Sequence, residues 1–177
     1  FLGYQAGRQA TTTTYSVFIG AFAGYNQSIA SNGNVHIGWT AGKYASGSNN
    51  TFVGQEAGQG GTTSAPFSSG EGNTAIGKAA LDKFTTGDNN VAIGKWAAYY
   101  VTTAINNTYV GGSAGVCRQT GNNNVAMGRS ALLSLTTGGT TVAIGNYAGD
   151  STTIGLDNVF IGYEAGQANV SGDEMVL

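Results

Sequence analysis

One proline, one cysteine, one histidine and a charged fraction of only 9% stand in 177 residues. Cys117, being alone, excludes an intrachain disulfide and a cysteine-built metal site, and its role is not readable from sequence. Seven basic residues are scattered among nine acidic ones for a net charge of −2. No basic stripe of the kind a nucleic-acid or anionic-membrane binder presents is formed. No apolar run approaches the roughly 18–20 residues needed to insert across a bilayer. The scarcity of charge argues against a solvated disordered tail. Glycine is abundant, at 30 residues, but without the period of three that a collagen helix demands. The sequence opens on Phe1 in mid-repeat, which reads as a segment of a longer or processed chain.

What is present is a repeat. Val17-Phe18-Ile19-Gly20, Val35-His36-Ile37-Gly38 and Thr51-Phe52-Val53-Gly54 align, and six further tetrapeptides follow them. With Phe1-Leu2-Gly3 they define ten anchor glycines, at 3, 20, 38, 54, 77, 94, 111, 128, 145 and 162. The spacings are 17, 18, 16, 23 and then 17 five times running. Alanine stands three residues after every anchor, and glycine follows it in seven of the ten copies. Four residues before the anchor, asparagine occupies seven of nine copies (34, 50, 73, 90, 107, 124, 158), with Ser16 and Thr141 in the others. Seven before it, glycine recurs at 47, 70, 87, 121, 138 and 155.

Such a unit reads as turn, short strand, turn and second short segment. Gly and Asn accept the positive φ of tight corners, and the β-branched, alternating tetrapeptide is a strand signal. Seventeen residues are too few for a strand and a crossover helix, and helical repeats are about twice as long. The expectation is an all-β parallel β-solenoid of about ten coils, a single domain over residues 1–177. An irregular insert at about 59–72 contains Pro66 and Phe67.

Alternation along the strand separates two faces. The Val, Thr, Ile, Leu and Met positions one and three before the anchor are expected inside the coil, with the alanine that follows. The position two before it reads Phe1, Phe18, His36, Phe52, Ala75, Ala92, Tyr109, Ala126, Ala143 and Phe160. Placed outside, this column would be an apolar stripe too long to stay exposed, so it is expected to be buried between chains.

The stretches Asn73-Thr74-Ala75-Ile76-Gly77, Asn90-Val91-Ala92-Ile93-Gly94 and Asn123 to Gly128 resemble the head repeats of trimeric autotransporter adhesins of the YadA type. The longer phrases Thr85 to Asn90 and Ala131 to Gly138 resemble related repeats of bacteriophage tail fibres and tailspikes. The resemblance covers almost the whole chain except the insert and the last few residues. It implies a left-handed parallel β-roll assembled as a homotrimer, on a virion fibre or a bacterial surface, hence extracellular. The adhesin repeat is usually shorter than 17 residues, and the phrases favour the fibre.

Candidate chemistry is sparse. His36 lies in the aromatic-or-alanine column, so it reads as a packed or interface residue; the other use of it would be three copies holding an ion on a threefold axis. Glu56 and Glu164 share a repeat position but stand many coils apart, unlike a hydrolytic pair. No nucleophile motif, calcium loop or phosphate-binding loop occurs, and neither catalysis nor a cofactor is expected. Aromatics outside the core columns, namely Tyr4, Trp39, Trp96, Tyr99, Tyr100 and Tyr163, together with Phe67 on the insert, are candidate contacts for a glycan or protein receptor. The function expected is non-enzymatic attachment of a trimeric fibre to a cell surface, probed against three rivals: an adhesin head binding host matrix or cells, an ice-binding solenoid and a tailspike-type depolymerase. Ice binding needs a threonine ladder, whereas Thr11 to Thr14, Thr62-Thr63, Thr85-Thr86 and Thr136-Thr137 fall in corners.

Overall fold

The computed structural model describes all residues except 11–12, 28–30, 63–66 and 118, so part of the insert, Pro66 included, lies outside the described residues. Each repeated tetrapeptide contributes a three-residue strand: β1 (Val17–Ile19), β2 (Val35–Ile37), β3 (Thr51–Val53), β4 (Thr74–Ile76), β5 (Val91–Ile93), β6 (Thr108–Val110), β7 (Val125–Met127), β8 (Val142–Ile144) and β9 (Val159–Ile161). They form one parallel sheet in chain order. Its register reproduces the sequence alignment, Val17 opposite Val35 and Ala75 opposite Ala92. Isolated bridges from Leu2 to Ile19 and from Val159 to Val176 add a rung at each end. The chain is a β-solenoid of about eight turns, and consecutive coils satisfy one another's backbone.

The anchor glycine is obligatory for two reasons. Its φ lies between +125° and +141°, a region L-residues rarely enter. A Cβ there would also strike the backbone of the next anchor: at Gly94 it would lie 2.6 Å from the carbonyl oxygen of Gly111. The alanine three residues on is fully buried in the middle coils, and its carbonyl accepts the N–H of the residue four past the previous anchor, as in Leu81 to Ala97 at 2.9 Å.

The asparagine column is a buried hydrogen-bonded spine. Asn73, Asn90, Asn107 and Asn124 each donate Nδ2 to the carbonyl of the next coil's corner, Gly87, Ala104, Gly121 and Gly138, at 2.8–3.1 Å. Each Oδ1 accepts the backbone N–H of the next residue in the column, Asn73 from Asn90 at 2.9 Å and Asn90 from Asn107 at 3.0 Å. A buried amide with both ends satisfied is stable where a lone one would not be.

The strand faces are the reverse of the sequence expectation. Phe18, His36, Phe52, Ala75, Ala92, Tyr109, Ala126, Ala143 and Phe160 are fully enclosed within a single chain, so they form the core and no interchain column. The flanking Val, Thr and Ile side chains point outward instead. Phe1, at the open end, is exposed.

The reason is steric compensation inside each coil. Where the central strand residue is aromatic, at 1, 18, 36, 52, 109 and 160, the residue six further on is glycine: Gly7, Gly24, Gly42, Gly58, Gly115 and Gly166. A Cβ on any of these would collide with that same ring. Where the central residue is Ala75, Ala92 or Ala126, the partner is Leu81, Ala98 or Leu132, all buried. Bulk is supplied from one wall of the coil or from the other at the rings and at Ala75 and Ala126, whereas Ala92 with Ala98 is small on both. Ala143 with Gly149 is small on both walls, and Phe160 and Leu132 from neighbouring coils occupy that space. The rings stack from coil to coil, Phe1–Phe18 at 4.8 Å, Phe18–His36 at 5.1 Å and His36–Phe52 at 4.9 Å between centroids.

The insert leaves the stack after Gly61, whose N–H reaches the carbonyl of Phe84, and rejoins it at Ser68, paired with Ala45. The buried Ser68 hydroxyl donates to the Phe84 carbonyl at 2.8 Å and pins the return.

Candidate functional site

The corner that follows the anchor glycine carries most of the outward aromatic rings. In-register stacking places equivalent positions of successive coils on one line, so residues one, two, five and six past the anchor form a continuous outer edge. Tyr4, Phe22, Tyr25, Trp39, Tyr44, Trp96, Tyr99, Tyr100, Tyr147 and Tyr163 all occupy it. The structure joins them in local groups. Tyr4 meets Phe22 edge-on at 5.4 Å, Tyr44 stacks on Phe67 at 6.2 Å, and Tyr147 meets Tyr163 at 6.4 Å. Phe67 is thus drawn from the insert to the same edge. Tyr4, Trp39 and Tyr163 are exposed on separate coils and do not converge.

Trp96, Tyr99 and Tyr100 do converge. With Val116 they line a surface cavity of about 300 Å³. Tyr99 and Tyr100 pack edge-to-face at 4.5 Å. Trp96 is 43% exposed and Tyr100 47%, so their rings are available to a ligand.

Cations are interleaved with these rings. Arg8 lies over Tyr25, Lys43 over Phe22 and Tyr44, Lys83 over Tyr99, Lys95 over Trp96 and Arg129 over Tyr147, at 4.0–5.8 Å. Sequence reasoning missed these pairs, and also Phe22, Tyr25, Tyr44 and Tyr147. The signal was available, because each stands one, two, five or six residues past an anchor.

Beside the cavity, Asp82 is nearly buried and its Oδ2 accepts from Lys83 Nζ at 2.8 Å, the only ion pair among the described residues. Burial pushes the Asp82 carboxyl up, against the pull of the Lys83 ammonium. Burial also raises the Cys117 thiol, which disfavours the nucleophilic thiolate.

His36 takes no part in a site. Enclosed between Phe18 and Phe52, neither ring nitrogen has a hydrogen-bond partner among the described residues, and desolvation lowers its pKa to about 3. Enclosed within its own coil, it cannot meet its equivalents from other chains to hold an ion between them. Among the described residues no group of three His, Cys, Asp or Glu is placed to hold a metal.

The threonines divide into two columns. Thr85, Thr136 and Thr153 commit their hydroxyls to carbonyls of the next coil at 2.9–3.0 Å. Thr86, Thr103, Thr120 and Thr137, one position on, stand exposed on one line in four consecutive coils. This short ladder takes one threonine from each coil and so runs across the corner clusters of the sequence. No protein family, curated protein or solved structure matches the chain.

Proposed function

We propose that this chain is a rigid segment of a homotrimeric, extracellular attachment fibre that binds a cell-surface receptor, a bacterial surface glycan above all, and performs no catalysis. The observation carrying the proposal is the outer face of the sheet. Val17 is 44% exposed, Ile93 37% and Ile161 60%, and their equivalents line the whole length of the solenoid. A continuous aliphatic stripe of this length is an interface signature. The stripe is built on one nine-stranded sheet, so three copies can pack it about a common axis. This places the proposed trimer contact on the positions flanking the central strand residue. The aromatic corner then remains outside, free to meet a receptor.

Light scattering after size exclusion tests the assembly: a mass three times the 17.9 kDa chain is expected, and a stable monomer would remove the fibre reading. Retention on immobilised bacterial surface polysaccharide tests the receptor class. Release of new reducing ends in the same experiment would instead establish a depolymerase.

A second reading rests on the exposed ladder Thr86, Thr103, Thr120 and Thr137, whose rungs repeat at about 4.8 Å. Ice binding ranks second because the ladder has four rungs and the adjacent column is interrupted by Gln119, with Thr85 and Thr136 already bonded to backbone. Thermal hysteresis of a frozen solution would bring it to the front.

A further inference from the structure

The geometry points to an acidic sugar, a uronate unit of a linear polysaccharide, as the occupant of the Trp96–Tyr99–Tyr100–Val116 cavity. The inference rests on the glycan reading above and adds the charge of the ligand.

Two of the seven basic residues, Lys83 and Lys95, lie over rings that line this cavity, and Lys78 stands one coil below Lys95. Lys78 and Lys95 occupy the same position in adjacent coils, and both are exposed. The backbone N–H of Trp96 donates to the Lys78 carbonyl at 3.0 Å, which stacks the two coils in register and sets Lys78 below Lys95 in one column, while Lys95 Nζ sits 4.0 Å from the Trp96 ring centroid. Lys83 lies over Tyr99 on the other side. The nearby carboxylate, Asp82, is committed to Lys83, and Glu56 stands one coil below. Lys78 and Lys95 have no carboxylate partner among the described residues, although like charges stacked in one column repel.

An apolar ring platform beside a column of two ammonium groups without a carboxylate partner matches a pyranose with an apolar face and a carboxylate at its edge. Ring faces take the C–H face of the sugar, and the ammonium groups take the carboxylate by charge-assisted hydrogen bonds. The cavity is open at the surface, and the aromatic edge resumes farther along the solenoid, beyond neighbouring coils that carry no ring at these positions. A polymer running along the solenoid therefore passes further ring and cation pairs, Lys43 with Tyr44 on one side and Arg129 with Tyr147 on the other.

The test uses Trp39→Phe, which leaves Trp96 as the sole tryptophan, titrated by fluorescence with a glucuronate tetrasaccharide and with its carboxyl-reduced neutral counterpart. Expected is a saturable change in Trp96 emission with the acidic sugar and affinity about fivefold weaker for the neutral one, the size of one partly exposed charge pair. Added salt should narrow the difference. Lys78→Gln with Lys95→Gln should equalise the two sugars and leave neutral-sugar binding in place. Equal affinity for both sugars in the unsubstituted site would overturn the acidic assignment and leave glycan attachment standing. A preference that survives both lysine substitutions would put the carboxylate elsewhere and overturn this site. No response to either sugar also overturns it, and the broader glycan reading falls only if immobilised bacterial polysaccharides fail to retain the protein as well.

Discussion

His36 puts an imidazole where neighbouring coils put phenyl rings. It gains the stacking of an aromatic but leaves two nitrogens without partners, at a cost Phe18 and Phe52 do not bear. Folding holds the ring neutral, since its pKa falls from 6.5 to about 3. Between those values the unfolded chain binds a proton that the folded chain does not. Stability from this residue is therefore complete above pH 6.5 and declines as pH falls toward 3, by about 1.4 kcal/mol per unit. His36→Phe should flatten that part of the pH profile and raise stability at neutral pH by about 1–2 kcal/mol. Thermal melts of both proteins at pH 7 and pH 4 measure it, and equal pH dependence in the two would disprove the assignment.

Within one coil the spine and the two walls act together. Asn90→Ala would orphan the Ala104 carbonyl and the Asn107 N–H, costing about 3 kcal/mol. Thr141 is a natural break in the spine, reaching the Gly155 carbonyl at only 3.5 Å. Thr141→Asn should close the break and add about 1 kcal/mol, read by denaturant unfolding. Compensation between the walls makes a sharper prediction. Phe52→Ala should cost about 3–5 kcal/mol. Gly58→Leu should be destabilising in its own right, because its side chain needs the volume of the Phe52 ring. Combined, the two should recover at least 1 kcal/mol relative to their sum. Leu81 and Leu132 already accept φ of 53° and 49° at this repeat position opposite alanine, so leucine is compatible with the backbone there. Strict additivity would sink the idea that the walls share one volume.

For the molecule as a whole, coil-to-coil pairing stabilises each repeat through its neighbours, and in the proposed trimer the outward aliphatic stripe would link stability to assembly. Ile93→Lys and Ile144→Lys place charge on the stripe without touching the enclosed column. Together they should convert a trimer to a monomer in light scattering and lower its melting temperature, with the circular dichroism of the solenoid retained. A mass unaffected by both substitutions would locate any self-association elsewhere.

Repeat length, anchor glycine, strand positions and parallel register were all legible in the sequence, because each rests on a local constraint repeated ten times. The turn needs Gly3, Gly20 and their equivalents for backbone reasons alone, whatever surrounds them. Period two showed that the strand has two faces but not which was inside, since Val17 and Ile19 are as apolar as Phe18. That choice was settled by Gly24 and its equivalents, six residues away, which open the space the ring enters. The alternation of aromatic with glycine and alanine with leucine was a readable trace of it, but its meaning depended on knowing which walls face each other. The cavity at Trp96 has the same origin. Its three aromatic residues were legible as a cluster in one coil, while Val116 and the Lys83 ammonium over Tyr99 join them only when adjacent coils stack in register, because side chains distant in sequence then meet at one corner.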